Sequence, residues 1–396
     1  MKRHSISFNA IFLSLLLLSG CESITNAYQQ NIKNPNKLYL DQAYPEAINF
    51  QIETEEELFA IDEEMENMVK HVLKPERDHE KRARLLLEYI FSSNHIAMSY
   101  ENDANVTAID AFHGKKANCM SLTIMAYALA TKAGMKLKFQ DIQVPEYWMR
   151  KGTHQLLMGH VNLLINKPSY RFGDQVWSKE ILQIDFDPGA AKSHFDRKIV
   201  SKKTIVAMFY NNKGAEALVR SEYDLAYAYF KAATQVDPLF YSGWGNLGVL
   251  YKMNHHYDLA VNAYKYALSL SPDDLTSLEN LALLFKRLDR KHEALNIQNK
   301  LHTKRLNNPH YHALLSNEAN YNGDHLSAIT HLKKAIRLES RFHEFYYNLA
   351  KLYLKTEQYD LAKSSMKKAL KYNKNIHTER EYNRKLNFLN QASIRY

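Results

Sequence analysis

The feature that most restricts the fold of this chain is a residue pattern that recurs from residue 207 onward, with a period of about 34 residues. Small and large apolar residues take fixed places in each copy, and the clearest copy contains Trp244, Leu247, Gly248, Tyr251, Ala260, Tyr264, Ala267 and Pro272. A recurrence of this length is typical of stacked supersecondary units, because one unit cannot bury its apolar face alone. We therefore predict about five helical hairpins over residues 207–374, followed by a capping helix and tail over residues 375–396.

The spacing of this copy, W-x2-L-G-x2-Y followed by A, an aromatic residue, A and P, resembles the tetratricopeptide repeat. The resemblance implies an all-α solenoid that binds a protein or peptide partner, and such arrays are rarely enzymes. The fourth copy is degenerate, and its spacing predicts three residues inserted near 307–309 and three lost near 323–324.

Histidines are frequent in the repeats but lack the spacing of metal ligands, so we expect them to be surface residues and expect no metal site. They are His255, His256, His292, His302, His310, His312, His325 and His331.

Residues 1–20 have the organisation of an export signal, with a basic start, a short apolar run and small residues before a cleavage point. The apolar run is too short to span a bilayer, which needs about 20 residues. The segment ends in L-S-G-C at Cys21, which resembles the bacterial lipobox. The resemblance implies that residues 1–20 are removed and that Cys21 carries the lipid anchor in the bacterial cell envelope. Glu22 stands at the second mature position, where the absence of Asp implies the outer membrane.

Residues 21–45 are polar and aperiodic, so we predict a lipidated tether and expect the lipid anchor to be the only contact with the membrane. The net charge of +9 would suit binding to nucleic acid, but an exported lipoprotein meets little nucleic acid, and we expect no nucleic-acid partner.

The chain has only 12 glycines and neither a G-x-x-x-x-G-K nor a G-x-G-x-x-G sequence. This composition disfavours a classical nucleotide-binding enzyme, and we expect no cofactor. The sequence does not indicate an oligomeric state.

Between the predicted tether and the repeats, the pattern is mixed α and β, and it contains the second of the two cysteines. Asn118 is a good helix N-cap and Gly134 a good terminator, so the apolar segment between them predicts a buried helix. Cys119 falls in the first turn of that helix, where the free amides and the helix dipole favour a thiolate. Two strand-like segments follow, GHVNLLI with His160 at its start and ILQIDFDP with Asp185.

A Cys, a His and an Asp in this order are the arrangement of nucleophilic thiol catalysis. The stretches ANCMSLTIMAYALATKAGM, QVPEYW and GHVNLLI, together with IDF, resemble the transglutaminase-like superfamily. More narrowly, they are similar to a bacterial group that joins this domain to tetratricopeptide repeats. The resemblance implies an α+β papain-like domain over residues 46–200, with Cys119 as the nucleophile, His160 as the general base and Asp185 as the orienting carboxylate.

The sequence departs from the superfamily pattern in two places. Asn162 stands two residues after the histidine, where an aromatic residue is usual. Asp187 precedes a proline, as the family Asp often does, and therefore competes with Asp185, which directly follows an apolar strand. His154 competes with His160 but lacks a following apolar run. Trp148 is a candidate for lining a substrate cleft and equally for core packing.

Two functions of different classes follow. In the first, a cysteine-dependent peptidase, amidase or acyltransferase forms a thioester with an amide-bearing protein or peptide and passes the acyl group to water or an amine. In the second, the chain is a non-catalytic envelope scaffold, in which an inactive transglutaminase-like domain and the repeats bind proteins.

Overall fold

The computed structural model describes residues 34–143, 148–151, 154–157, 159–166, 171–172, 175–176, 181–184, 186, 196–373, 379 and 382–387. The predicted export signal and Cys21, the predicted lipid-anchor residue, lie outside these ranges. The described chain begins with an N-terminal region of short helices and a sheet, and it continues as an array of ten helices. Among the described residues, no helix is both long and apolar enough to cross a membrane.

The described N-terminal region contains five α-helices and ten strands. The helices are α1 (Glu55–Leu58), α2 (Glu63–Met68), α3 (His79–Phe91), α4 (Ala108–Gly114) and α5 (Cys119–Lys132). The strands are β1 (Ser99–Tyr100), β2 (Lys116–Ala117), β3 (Leu137–Ile142), β4 (Trp148–Lys151), β5 (His154–Leu157), β6 (His160–Asn166), β7 (Arg171–Phe172), β8 (Gln175–Val176), β9 (Ile181–Ile184) and β10 (Arg197–Val200).

The largest sheet has the strand order β10-β3-β6-β9, and every neighbouring pair in it is antiparallel. Helix α5 packs against this sheet, with the ring of Tyr127 stacked on that of Phe139 at 4.3 Å between centroids. Most of α5 is buried, from Met120 to Ala130. The prediction of a buried central helix beginning after Asn118 is therefore confirmed, and Gly134 ends it with a positive φ of 82° that a residue without Cβ adopts readily.

The ten helices of the array form five hairpins, which we number repeats 1 to 5. Their bounds are α6 (Lys202–Val219), α7 (Tyr223–Val236), α8 (Tyr241–Met253), α9 (Tyr257–Leu270), α10 (Leu275–Arg287), α11 (Lys291–Arg305), α12 (Pro309–Tyr321), α13 (His325–Leu338), α14 (His343–Lys355) and α15 (Tyr359–Tyr372). The second helices of the five repeats begin at equal intervals along the chain, and so do the first helices from repeat 2 onward.

This regularity shows that the predicted insertion near 307–309 and the loss near 323–324 are wrong. Repeat 4 keeps the same phase as its neighbours. Its landmark residues are different, because His312 and Ser316 stand where repeat 2 has Trp244 and Gly248. Both are buried, and so is His310. The expectation that the histidines of the array are surface residues is therefore wrong at His310 and His312.

Small residues let the two helices of a hairpin approach closely, as the sequence pattern predicts. A Cβ built on Gly248 would lie 2.7 Å from the ring of Tyr264, and one on Gly214 would lie 2.6 Å from the ring of Phe230. Each glycine therefore provides the space for an aromatic side chain of the second helix of its own repeat.

Residues 34–50 form three short 3-10 helices (Pro35–Leu38, Asp41–Ala43 and Pro45–Asn49), which pack against repeats 1 and 2, mainly on their second helices α7 and α9. We call this segment the strap. Leu38 and Tyr44 are each only 3% exposed. The described part of the predicted tether, residues 34–45, is thus docked on the array rather than extended in solvent. The cause is specific contacts of its aromatic side chains and backbone.

Those contacts come mainly from tyrosines of the array. The hydroxyl of Tyr227 accepts a hydrogen bond from the backbone N–H of Leu40 at 2.8 Å, and the hydroxyl of Tyr251 donates one to the carbonyl of Leu38 at 2.7 Å. The ring of Tyr44 stacks on that of Tyr227 at 4.5 Å between centroids. Lys231 pairs with Asp41 at 2.6 Å. The strap therefore has both its backbone and its side chains bound by repeats 1 and 2.

At the far end of the array, residues 382–387 are helical. Tyr382 is 3% exposed, stacks on Tyr347 at 4.6 Å between centroids and lies within hydrogen-bond distance of His343. These contacts hold residues 382–387 against the first helix of repeat 5. They lie within residues 375–396, for which the sequence predicts a capping helix and tail.

Candidate functional site

The predicted nucleophile, Cys119, is the first residue of α5 and is half-buried. The side chain of Asn118 caps this helix by accepting a hydrogen bond from the N–H of Ser121 at 2.9 Å. The thiol therefore lies at a helix N-terminus, where a negative charge on sulfur is favoured. Within the described ranges, the thiol makes no hydrogen bond to another residue.

The predicted base, His160, is the first residue of β6 and is 5% exposed. The hydroxyl of Thr123, one helical turn after Cys119, donates a hydrogen bond to the carbonyl of Val161 at 3.3 Å. Because Val161 follows His160 directly, the first turns of α5 lie beside the beginning of β6. Strand register pairs His160 with Ile142 of β3. The helix of the cysteine and the strand of the histidine are thus neighbours at their N-terminal ends.

The third predicted member of the site lies outside the described residues, both as Asp185 and as its alternative Asp187. The residues on either side of Asp185 are described, and Ile184 and Phe186 are both buried. His154 begins β5 and Trp148 begins β4. The assignment of all four residues therefore stays a prediction, as does the papain-like architecture itself.

A buried carboxylate that no sequence motif marks lies on the strand next to that of His160. Asp141 is on β3, directly before the residue that pairs with the histidine, and Gln143 donates a hydrogen bond to it at 2.7 Å. Burial raises the pKa of the Asp141 carboxyl to about 6, and the charges of Lys198 and His160 oppose that rise. In the strand register Asp141 pairs with Val161, so its side chain lies on the face of the sheet opposite to that of His160.

The N-terminus of α5 is also tied to the repeats. The hydroxyl of Ser121 accepts a hydrogen bond from the N–H of Val106, and the side chain of the nearby Asn105 donates one to the carbonyl of Phe209 in α6 at 3.1 Å. Residues of α5, the sheet and α6 share one apolar cluster. The candidate thiol site therefore lies at the seam between the N-terminal region and repeat 1.

A second candidate site is a row of amides along the first helices of repeats 1 to 3. Asn246 donates a hydrogen bond to the side chain of Asn211 at 2.8 Å, and Lys252 donates one to that of Asn280 at 2.9 Å. All four side chains are half-buried. Burial lowers the pKa of the Lys252 ammonium, the charge of Glu279 opposes that change, and Arg287 adds to it. We call these four residues, Asn211, Asn246, Lys252 and Asn280, the amide row.

The model of the tetratricopeptide repeat family matches residues 343–376, which correspond to repeat 5. No curated protein is significantly similar to the chain in sequence. Among solved structures, the chain is similar to TTC0263, a thermophilic TPR protein from Thermus thermophilus. The two are 20% identical over 44% of this chain and 96% of that one, with a TM-score of 0.28.

The Pseudomonas aeruginosa pilF structure is 16% identical over 46% of this chain and 89% of that one, with a TM-score of 0.27. A chain of the APC/C hetero-tetramer Cut9-Hcn1 is 18% identical over 47% of this chain, with a TM-score of 0.28, and this chain spans only 37% of its length. Together with the five helical hairpins described above, the family match shows that the C-terminal region consists of tetratricopeptide repeats.

Proposed function

We propose that this protein binds a protein or peptide partner along the first helices of its repeats and presents that partner to a thiol site at Cys119. The observation that carries the proposal is the amide row, in which partly exposed polar side chains are linked from one repeat to the next. Repeats of this kind commonly bind peptide segments or other proteins.

The chemistry of the amide row indicates what the partner offers. Asparagine amides both donate and accept hydrogen bonds, so they suit the backbone of an extended peptide. The ammonium of Lys252 has an uncharged partner in Asn280 and is partly desolvated, so a carboxylate brought by the partner would be attracted to it. An extended acidic segment is therefore the expected ligand class.

The test uses short fluorescein-labelled peptides rich in Glu, with the same sequences carrying Gln as probes without charge. We expect the acidic peptides to bind, and both Lys252→Ala and Asn246→Ala to weaken that binding about tenfold. The matched control is Asn296→Ala, which removes an exposed amide from the second helix of repeat 3. Equal effects of all three substitutions, or equal binding of the Glu and Gln peptides, would exclude the amide row as the recognition site.

The thiol part of the proposal is supported by the position of Cys119 at a capped helix start and by the bond from Thr123 to Val161 beside His160. In the proposed reaction, His160 takes the proton of the Cys119 thiol, and the sulfur attacks the carbonyl carbon of an amide. The C–N bond breaks and the amine leaves with that proton, which gives a thioester. Water or a second amine then attacks the thioester and restores the thiol. Asp185, or Asp187, would orient the imidazole.

The rate of Cys119 alkylation as a function of pH tests this site, measured in a Cys21→Ser chain with and without His160→Ala. We expect the native thiol to be alkylated at neutral pH much faster than the thiol of the denatured chain, and the variant to lose this acceleration. His154→Ala is the matched control and should leave the profile unchanged. A thiol that is unreactive, or insensitive to His160, would favour the scaffold function, in which the same domain only binds proteins.

We also propose that the protein is a lipoprotein of the bacterial envelope, anchored at Cys21 in the outer membrane. The lipobox-like L-S-G-C sequence supports this assignment. Mass spectrometry of the mature N-terminus should find an acylated Cys21, and Cys21→Ser should release the protein from the membrane fraction. A mature chain that retains residues 1–20 would contradict it.

A further inference from the structure

The apolar core of the repeat array is interrupted between repeats 3 and 4. Repeats 1 to 3 contribute to clusters of buried apolar residues that reach Leu301 in α11. The next cluster begins at Ala328 in α13 and contains repeat 5. Within the described part of the chain, no cluster of buried apolar residues spans the two sides of this junction.

The helix at the junction explains the interruption. The buried residues of α12 are His310, His312 and Ser316, all of them polar. The corresponding helix of repeat 2 buries apolar side chains that include Trp244 and Leu247. Two partly buried alanines of α12, Ala313 and Ala319, pack against the apolar cluster of repeats 4 and 5, whereas no residue of α12 belongs to the cluster that ends in α11.

Polar contacts take the place of apolar packing at this junction. The guanidinium of Arg305, at the end of α11, pairs with Glu279 within repeat 3 at 2.9 Å and reaches across the junction over the ring of Tyr311 in α12, 5.3 Å from its centroid. The ring of His312 lies 3.0 Å from the carbonyl of Leu306. Groups of this kind exchange protein partners for water at small net cost, whereas separating apolar surfaces is costly.

Apolar side chains on the second helices at the junction are also more exposed than those at the same helix position in repeats 1 and 2. Leu295 in α11 is 55% exposed, although Tyr227 and Val261, at the same position of repeats 1 and 2, are 1% and 5% exposed. Leu326, at the start of α13, is 74% exposed. The strap covers repeats 1 and 2, whereas these leucines have no such cover among the described residues.

From these observations we infer that the array is jointed: repeats 4 and 5 move as one arm relative to repeats 1 to 3, about a polar joint formed by α11 and α12. The N-terminal region shares an apolar cluster with repeat 1 and stays with the first arm. The joint provides the protein with a way of changing the curvature of its binding surface without unfolding a repeat.

Spin labels at matched positions test the joint in the full chain with Cys21→Ser and Cys119→Ser. One pair, Ala228→Cys with Asn296→Cys, lies within the first arm, and the other, Asn296→Cys with Ser364→Cys, crosses the joint. Both pairs are two repeats apart and occupy the same helix position. We expect the distance distribution of the crossing pair to be about twice as broad as that of the pair within the arm.

A second variant makes the test independent of label mobility. His312→Leu places at the joint the residue type that repeat 3 has there, the buried Leu278. We expect it to narrow the crossing distribution and to leave the other pair unchanged. Equal widths of the two distance distributions in the chain without His312→Leu would overturn the inference. A His312→Leu chain that is folded by circular dichroism, but whose crossing distribution is as broad as before, would also overturn it.

Discussion

Docking of the strap on repeats 1 and 2 predicts a large effect for a single substitution, Tyr44→Ala. Tyr44 is only 3% exposed, stacks on Tyr227 at 4.5 Å and accepts a hydrogen bond from the amide of Asn254 at 3.0 Å. Removing a buried aromatic ring costs about 3–5 kcal/mol, because the apolar burial is lost and a cavity remains. We therefore expect Tyr44→Ala to reduce the free energy of strap docking by at least about 3 kcal/mol.

Hydrogen exchange of the strap measures this loss directly. The N–H of Leu40 is protected by its bond to the hydroxyl of Tyr227, so it exchanges only when the strap opens. A loss of about 3 kcal/mol increases the population of the open state about a hundredfold, and the exchange rate in proportion. Mass spectrometry of the peptide that contains residues 34–50 reports this rate in the intact chain.

The same segment provides the control. Ile48 is 89% exposed, so Ile48→Ala should change the docking free energy by less than about 0.5 kcal/mol and leave the exchange rate almost unchanged. If Tyr44→Ala accelerated exchange no more than Ile48→Ala does, the buried contacts of the strap would contribute little to its docking, and our reasoning would be wrong.

Four further substitutions test packing and titration. Gly248→Ala forces a Cβ to within 2.7 Å of the Tyr264 ring and should destabilise the array by about 1–3 kcal/mol. Gly114→Ala is the control, because its Cβ meets nothing within 4 Å, and it should stabilise the protein by up to about 1 kcal/mol. Denaturant unfolding measures both changes. Burial lowers the pKa of His310 from 6.5 to about 4, although the carboxylate of Glu339 lies 3.6 Å from its ring. Its contribution to stability is therefore present above pH 6.5 and declines toward pH 4. Because Glu339 stabilises the charged ring, the loss between pH 7 and 5 is at most about 2 kcal/mol, and His310→Phe should remove that slope. Burial raises the pKa of Asp141 to about 6, so its charged form opposes folding as pH rises, and Asp141→Asn should stabilise by up to about 3 kcal/mol at pH 7 but little at pH 4.

The repeats were predictable because their pattern reflects local packing that recurs in every copy. Gly248 has to face the ring of Tyr264, as Gly214 faces the ring of Phe230 one repeat earlier. The phase of repeat 4 was not predictable in this way, because His312 and Ser316 stand at its landmark positions. Only the bounds of α12 and α13 show that the period is unbroken.

The strap and Asp141 could not be predicted, since both depend on contacts between distant parts of the chain. Residues 34–45 are polar and aperiodic, and what buries Tyr44 is a pair of tyrosines from the first two repeats, Tyr227 and Tyr251. Asp141 lies on the strand beside that of His160 only because of the register of β3 and β6, in which it pairs with Val161. The positions of Cys119 at a helix start and of His160 at a strand start were predictable, because helix caps and strand starts are local signals.

The place of the strap in the chain has a consequence for the order of folding. Its backbone is bound by Tyr227 and Tyr251, which lie 187 and 213 residues further along. At a synthesis rate of about 5–20 residues per second, the strap therefore waits about 10–40 s for its partners. During that time Tyr39 and Tyr44 have no repeat to dock on, and loop closure over this distance is slow. The strap is thus made before repeats 1 and 2 but reaches its place after them, so its docking marks the completion of these two repeats.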